Sequence, residues 1–598
     1  MRLRNFIICS GCILVAALLF WAASSRLDYI NSARKEMNLI TDEPLENAPP
    51  SLAFATVAMG AFRGLVVDIL WIRADQLKDQ GQFFDAKQLA EWITVLQPRL
   101  ASVWDFHAWN MAYNISVAMP ATQPQDRWRW VRNGYELLRD KGIPKNQRSI
   151  VLYRSLAWIF QHKIGAVSDD VHRYYKLQLA NEMQPLLGDA SYEYFQALAQ
   201  APRELEQALA KPEVAKFIAD LKSADDSFVD EKTLIDNYLS LQQRPANFSK
   251  DAFSVVDRYR GTEGLVAFDI FAKAYHLRNI WKLEPKTMAE LNNSYAPIDP
   301  QDPNKHLALD WRSAEVHAIY WATKGLEMAS KKNFSIDKLN TDRIVFHSLQ
   351  NLYSRGKMII YPPPPLQDIE NISAERAAMA EQDRVFLFPD LRMFAPYKAA
   401  MTVMMDKYST GDNRDRRAIA SLNITYRNML KNALLMFYQA GHKAHAQKIF
   451  AELKERFPDR AEFKNSTMIE FARKRLREEL AGIGIHDARE IIIMMLNEAY
   501  LRYALHDDDE SFGREKMAQE VYRKYQKSFN DEAVDRVTLP SFGIMRYIGL
   551  MAFLNDPIYP NYLKKNLLGR INLERPELYE KLRTQHEKIM EESAKQKQ

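Results

Sequence analysis

The chain has 598 residues, of which 47% are hydrophobic and 26% charged, a composition that indicates a folded protein and excludes a wholly disordered one. This length exceeds what a single core supports and predicts several domains or a repeat array. The net charge is only +5, and positive and negative residues alternate, so we expect no nucleic-acid binding. With only 20 glycines and long stretches of good helix formers, the predicted fold class is all-α.

The first apolar segment is predicted to be a membrane anchor. Residues 6–23 carry no charge and, as a helix, would span about 27 Å, most of a bilayer core. Because Arg2 and Arg4 precede them, we expect a cytoplasmic tip at 1–5, a single pass through the inner membrane, and a periplasmic or extracytoplasmic bulk. A signal peptide with residues 22–24 before the cut is the alternative, although its apolar core is usually shorter.

The sequence contains little that is typical of an enzyme. Both cysteines, Cys9 and Cys12, lie in the apolar segment, so the rest of the chain has no disulfide and no Cys-ligated metal. No His-Glu-x-x-His, Gly-x-Ser-x-Gly or phosphate-loop motif is present. We therefore expect no cofactor, and the pattern favours a protein without enzymatic activity while leaving that question open.

One spacing of small residues, apolar residues and proline recurs far apart in the chain. It starts at Gly81 and continues 5, 9, 12 and 17 positions later with Ala86, Ala90, Ile93 and Pro98. The same offsets from Gly441 give Ala446, Phe450, Leu453 and Pro458. A weaker copy starts at Gly513. Glycine suits the turn of a helix hairpin, the small residue lets two helices approach, and proline ends the second helix, so each stretch predicts a hairpin.

This spacing resembles the tetratricopeptide repeat, with Trp104 and Ala108 four residues apart at the start of the next unit. The match covers 67–115 and 428–460, and more weakly 500–530. The resemblance implies an α-solenoid of stacked hairpins whose first helices line a groove for a protein or peptide. The blocks LYRSLAWIFQHKIG and DWRSAEVHAIYWATKG also resemble membrane-anchored bacterial envelope proteins, a likeness that implies no function.

The resemblance also indicates which residues would face such a groove. Carried over by spacing, they are Asp68, Trp71, Asp75, Lys78, Ser102, Asp105, Trp109, Asn428, Lys431, Leu435 and Tyr438. Asn428 and Lys431 together offer donors and a charge for a carboxylate. The alternative is that these residues are ordinary solvated helix surface, or that they pack against the middle segment of the chain, which shows no clean repeat.

A second hypothesis places a metal site in the part of the chain without clean repeats. His162, Asp169 and His172 combine imidazole and carboxylate, which suit zinc or iron. The structural alternative is that residues 168–170 cap the helix that follows them.

These observations divide the chain into provisional segments and suggest a function. The segments are a tip at 1–5, an anchor at 6–23, a linker at 24–50, a helical repeat region at 51–300, a helical segment at 301–425 with a polyproline loop near 361–366, repeats at 426–565 and a charged tail at 566–598. The predicted function is a membrane-anchored scaffold that binds other proteins in the bacterial cell envelope. A metal-dependent enzyme with its site around residues 162–172 is the alternative, and a purely self-associating component a third possibility.

Overall fold

The computed structural model describes most of the chain from residue 63 onward. The described residues are 63–243, 246–299, 306–329, 335–360, 385–409, 416–440, 442–480, 485–529, 539–555, 559 and 561–596, with the single positions 15, 29 and 32. These residues are predominantly helical, in agreement with the predicted class and consistent with a helical-repeat fold. Packing divides them into two compact units, one formed by 63–119 and 129–156, and one formed by 120–128 and the residues from 157 onward.

The first unit begins with three helices in succession and continues through two π-helical turns. Its elements are α1 (Arg63–Asp79), α2 (Phe83–Leu96), α3 (Ala101–Trp109), a π turn (Asn110–Ile115), α4 (Ser116–Ala118), α5 (Pro124–Glu136), a π turn (Leu137–Gly142), α6 (Ile143–Lys145) and α7 (Ile150–Trp158). Some residues of α5 and α7 belong to the second unit.

Among its described residues, the second unit contains the remaining helices and one small sheet. Its first part has a π turn (Ile159–Gly165), α8 (His172–Met183), α9 (Tyr192–Gln200), α10 (Leu205–Leu209), α11 (Pro212–Ala224), α12 (Glu231–Gln242), α13 (Lys250–Arg258), α14 (Glu263–Asn279), α15 (Pro285–Tyr295), α16 (Ala314–Met328) and α17 (Ile336–Arg355). Short 3-10 turns lie at Gln184–Leu186, Asp226–Phe228 and Leu391–Met393. Its last part has β1 (Lys357–Ile360), β2 (Val385–Phe388), α18 (Phe394–Ser409), α19 (Arg416–Gln439), α20 (Lys443–Arg456), α21 (Ala461–Lys464), α22 (Met468–Leu480), α23 (Ile485–Ala504), α24 (Asp508–Phe529), α25 (Phe542–Asn555), α26 (Asn561–Glu574) and α27 (Pro576–Gln596).

The two strands form an antiparallel pair that the sequence pattern did not predict. Their register runs from Lys357 opposite Phe388 to Ile360 opposite Val385. Met358 and Val385 are buried against Leu177 and Ala180 of α8, so one face of the pair is closed by a helix. The polyproline loop predicted near residues 361–366 lies outside the described residues.

Both strong copies of the recurring spacing fold as pairs of helices, as predicted. In the first, α1 and α2 are joined by a turn in which Gly81 has φ of 75°, a left-handed conformation that suits glycine. Ala86, Ala90 and Ile93 of α2 are fully buried. The helix ends before Pro98. In the second copy, α19 and α20 form the pair, and the first position of the spacing, residue 441, lies outside the described residues.

The weak copy does not have its turn where the spacing placed it. The turn is at 505–507, where His506 has φ of 61°, and Gly513 lies inside α24. Asp508, Asp509 and Glu510 occupy the first turn of α24, where negative side chains stabilise a helix N-terminus. At Gly513, an added Cβ would overlap the backbone of Gln439 and Ala440.

We expect Gly513→Ala to lower the free energy of unfolding by about 1–3 kcal/mol, because the backbone at the end of α19 cannot rotate away from the new methyl group. Gly569, within α26, is the matched control, since an added Cβ there has no atom within 4 Å. Gly569→Ala should raise stability by about 0.5–1 kcal/mol through helix propensity. Urea midpoints of the two variants should move in opposite directions, and a stabilised Gly513→Ala variant would contradict the close approach.

The predicted membrane span and inner-membrane location require correction. Among the described residues, no helix is both long and apolar enough to cross a bilayer. The helices of sufficient length carry charges along their length, as in α19, which contains Arg416, Arg427 and Lys431, and each such charge is costly at a bilayer centre. The anchor proposed at 6–23 lies outside the described residues except for position 15.

The segment predicted as a charged tail contributes to the core of the second unit. Within 566–598, Leu567 and Ile571 of α26 are buried, and so are Leu578 and Leu582 of α27. The charged residues of α27 from Glu577 to Lys588 are exposed, which is the pattern of an amphipathic helix.

Candidate functional site

A concave groove with a volume of about 530 Å³ lies in the first unit. It is formed by α1, α3, the start of α2 and the π turn that follows α3. The lining residues are Trp71, Lys78, Phe83, Ser102, Asp105, Phe106, Trp109 and Asn114. Half of them are aromatic, so the groove combines apolar surface with a few polar groups, as binding pockets commonly do.

Helical spacing brings the α3 residues to one side. On a helix with about 3.6 residues per turn, Ser102, Asp105, Phe106 and Trp109 fall within about 100° of the circumference and therefore lie on one broad face. Asp105 and Phe106, which are adjacent in sequence, mark the two edges of that face. The buried residues of the same helix lie between them in sequence and are Val103, Trp104, His107 and Ala108. The indole nitrogen of Trp104 donates to the carbonyl oxygen of Pro98 at 2.8 Å, which ties α3 to the turn before it.

The α1 wall of the groove presents an aromatic ring and a neutralised lysine. Trp71 and Lys78 are seven positions apart, or about two helical turns. The Trp71 ring lies 5.2 Å from that of Phe106, and Lys78 Nζ lies 5.5 Å from the centroid of Phe106. Lys78 Nζ also donates to Asp75 Oδ1 at 2.6 Å, a hydrogen bond that raises the pKa of Lys78. The positive charge of Lys78 is therefore already paired with a carboxylate of the same helix.

Asp105 is the carboxylate on the α3 wall. Burial raises its pKa, and this effect outweighs the hydrogen bond with Ser155 and the nearby charge of Arg154, which both lower it. Beside it, Trp109 stacks on Tyr113 with ring centroids 4.1 Å apart and keeps 44% of its surface exposed. The α3 wall thus offers an incompletely compensated carboxylate next to an accessible indole.

Two asparagine side chains connect the π turn after α3 to the start of α2 at one end of the groove. Asn114 donates to the side-chain oxygen of Asn110 at 3.0 Å. Asn110, which is buried, donates in turn to the backbone oxygen of Phe83 at 3.0 Å. The π turn and the start of α2 are thereby held together, which positions Phe83 in the groove.

His107 does not act with Asp105 as an acid–base pair. The two residues are two positions apart on a helix and point to different sides of it. His107 is buried on the core side, and burial lowers its pKa to about 3. Its imidazole is therefore neutral at physiological pH.

The structure brings together only some of the residues predicted to face a groove. Trp71, Lys78, Ser102, Asp105 and Trp109 line one cavity. Asp75 lies beside it through its contact with Lys78, while Asp68 is exposed on α1 and is not among the lining residues. Their role in binding a partner stays a prediction. The spacing argument missed Phe83, Phe106 and Asn114.

The candidate residues of the later repeat are occupied by contacts within the second unit. Lys431 Nζ pairs with Glu462 at 3.0 Å. The hydroxyl of Tyr438 donates to Glu520 at 3.2 Å, and Leu435 is buried. Asn428 is exposed. Since Lys431 already faces a carboxylate of its own chain, these contacts favour a structural role for that lysine.

The candidate metal ligands are held by separate contacts. His162 stacks on Trp158 with ring centroids 4.8 Å apart. His172 Nδ1 lies 3.1 Å from Lys176 Nζ, and burial together with nearby cationic side chains lowers the pKa of His172 to about 4. Within the described parts of the chain, no group of three or more His, Cys, Asp or Glu residues has an arrangement that could hold a metal ion.

Asp169 forms the centre of a buried ionic cluster in the second unit. Its Oδ2 accepts a hydrogen bond from Lys163 Nζ at 2.6 Å, and its Oδ1 accepts from Arg127 at 3.3 Å. The backbone N–H of Val171 donates to Oδ1 at 3.1 Å, just before α8 begins. Burial raises the pKa of Asp169, but these donors and charges outweigh it and lower the pKa overall. The carboxylate is thus ionised and engaged by the protein.

Comparison with known proteins does not assign the chain to a family. No protein-family model matches the chain, and a search of curated proteins finds no match.

Proposed function

We propose that this chain is a helical-repeat protein that holds a segment of another protein in the groove of its first unit. The observation that supports this most is that Trp71, Lys78, Ser102, Asp105 and Trp109 line one and the same cavity. The resemblance to the repeat family places these residues on a groove face. The cavity on this predicted surface is lined by aromatic side chains and a few polar groups, as binding grooves typically are.

We further propose that the helix pairs are tetratricopeptide-like. The repeated spacing supports this, because α1–α2 and α19–α20 are both helix pairs whose members are separated by three residues. In such pairs the first helices carry the binding surface, and here α1 and α3 form the two long walls of the groove.

The composition of the groove favours a peptide segment over a small polar ligand. Tryptophan is enriched among the residues that contribute most to protein–protein binding, and both Trp71 and Trp109 line the groove. A cavity of about 530 Å³ is large enough for one or two side chains of a bound segment.

A peptide array tests this function directly. Random 15-residue peptides would be probed with the full-length chain, and those that bind would be titrated against variants. Trp109→Ala should weaken binding roughly thirtyfold, equivalent to about 2 kcal/mol, since a partly exposed indole in a groove is a typical binding hot spot.

Ile72→Ala provides the matched control, because Ile72 is an exposed apolar residue of α1, at 58% exposure, that does not line the groove. It should leave peptide affinity unchanged. Absence of any bound peptide, or equal weakening by both substitutions, would refute the proposed groove.

A further inference from the structure

We infer that the groove of the first unit selects a peptide segment that carries an arginine beside an apolar side chain, with the guanidinium between the Trp109 and Phe106 side chains and the Asp105 carboxylate. This inference rests on the proposed function and specifies the chemistry of its ligand. It assigns Asp105 the role of specificity-determining residue.

The balance of charge around the groove argues for a cationic ligand. Lys78 is neutralised by Asp75 at 2.6 Å and has Asp79 at 3.9 Å. Asp105 has a hydrogen bond with Ser155 and the charge of Arg154 near it, yet burial still dominates the environment of its carboxyl group. The five charged side chains named here therefore sum to a charge of −1. Of the two that line the groove, Lys78 is already paired with carboxylates of its own helix.

The shape of the lining argues for arginine in particular. A planar guanidinium stacks on aromatic faces and forms paired hydrogen bonds with a carboxylate, which a lysine ammonium does less well. Trp109 is four positions after Asp105 and three after Phe106, so it is a neighbour of both on the helix surface, and it is 44% exposed. One side chain can therefore meet the carboxylate and an indole at the same time.

The remaining aromatic residues suit an apolar neighbour of that arginine. Trp71 and Phe106 are in contact at 5.2 Å between ring centroids, and Phe83 lies at the end fixed by Asn110. Adjacent apolar side chains of a bound segment would bury surface against these rings, which is the main source of favourable free energy in such grooves.

The test uses two matched tripeptides on the full-length chain. The probes are N-acetyl-Leu-Arg-Leu amide and the same peptide with citrulline, which has nearly the shape of arginine but no charge. Ligand-detected NMR titration should give an affinity for the arginine peptide about tenfold higher than for the citrulline peptide, the effect expected of a charge-assisted contact with an aromatic neighbour.

Two variants assign the preference to its residue. Asp105→Asn should abolish the difference between the two peptides, whereas Asp85→Asn, at an exposed position of α2 outside the lining, should preserve it. Because the peptide comparison on the unmodified chain stands by itself, the inference can fail even if Asp105→Asn does not fold.

The outcomes separate this inference from the proposed function. Equal affinity for both tripeptides, or tighter binding of N-acetyl-Leu-Asp-Leu amide, would overturn the arginine preference, and if Trp109→Ala still weakened the array peptides the groove would remain a peptide site. No detectable binding of the arginine peptide at millimolar concentration would also overturn the inference. Loss of both kinds of binding would refute the two together.

Discussion

Asp169→Asn is expected to lower the free energy of unfolding by about 3–5 kcal/mol, which is the usual effect of removing one partner from a buried ion pair. The side chains of Lys163 and Asp169 are only 4% and 5% exposed, and their atoms are 2.6 Å apart. Arg127 contributes a second positive charge at 3.3 Å. Asparagine keeps the shape of the residue and removes the negative charge that both cations face.

Asp170→Asn is the control, because Asp170 is the exposed neighbour in sequence. Surface carboxylates contribute little, so its effect should stay within about 0.5 kcal/mol. Chemical denaturation of both variants followed by circular dichroism measures the difference. Equal stability of the two variants would show that the cluster does not stabilise the fold.

The loss of stability caused by Asp169→Asn should also depend on pH. Because the folded pKa of Asp169 is lowered, its carboxylate contributes stability that is present above the unfolded pKa, about 3.9 for aspartate. This contribution is lost as pH falls through the lower folded value. The difference in free energy of unfolding between the unmodified protein and Asp169→Asn should therefore have its full size at pH 7 and decrease below about pH 4.

The parts of the fold that were predictable from the sequence depend on local geometry. Helix periodicity relates residues three, four or seven positions apart, so the shared face of Ser102, Asp105 and Trp109 follows from numbering alone. The same logic should have included Phe106, which is four positions from Ser102. Asn114 was beyond reach, since the π turn after α3 changes the number of residues per turn.

The parts that were missed depend on contacts distant in sequence. The partner strands β1 and β2 are separated by the 24 residues 361–384, and each is only four residues long, so neither shows a clear alternation. Arg127 and Asp169 are 42 positions apart. His162, Asp169 and His172 looked like a ligand set because the sequence could not reveal that Lys163 and Arg127 surround the carboxylate.

The weak third copy failed for a related reason. A glycine at the expected offset has two physical uses, a positive φ in a turn or a close approach inside a helix. The spacing cannot distinguish them. At Gly81 the turn is realised, with φ of 75°, whereas at Gly513 the close approach to Gln439 and Ala440 is realised. Only the acidic first turn of α24 indicated that the helix begins earlier.

Arg502→Met is expected to lower the free energy of unfolding by about 3–5 kcal/mol, again as the removal of one partner from a buried ionic group. Arg502 is 1% exposed. Its guanidinium donates to Glu498 at 2.9 Å within α23 and to Asp507 in the turn at 3.2 Å, and lies 3.4 Å from Glu510 of α24. One side chain therefore joins both helices and the turn of this pair.

Arg583→Met in α27 is the matched control, since the side chain of Arg583 is 57% exposed and pairs with Glu580 and Glu587 at the surface. Its loss should change stability by less than about 1 kcal/mol. A loss of similar size in both variants would mean that the Arg502 contacts are no stronger than a surface pair.

The loss of stability caused by Arg502→Met should become smaller at acidic pH. This pH dependence distinguishes a charge effect from a packing effect. Burial raises the pKa of Glu510, although Arg502 and Arg514 lower it; removal of Arg502 should raise that pKa further. A carboxyl group whose folded pKa lies above its unfolded value destabilises the fold at high pH and ceases to do so once it is protonated. Titration from pH 7 to pH 4 should thus recover part of the lost stability in Arg502→Met, whereas a cavity left by imperfect packing of methionine would give a deficit that does not change with pH.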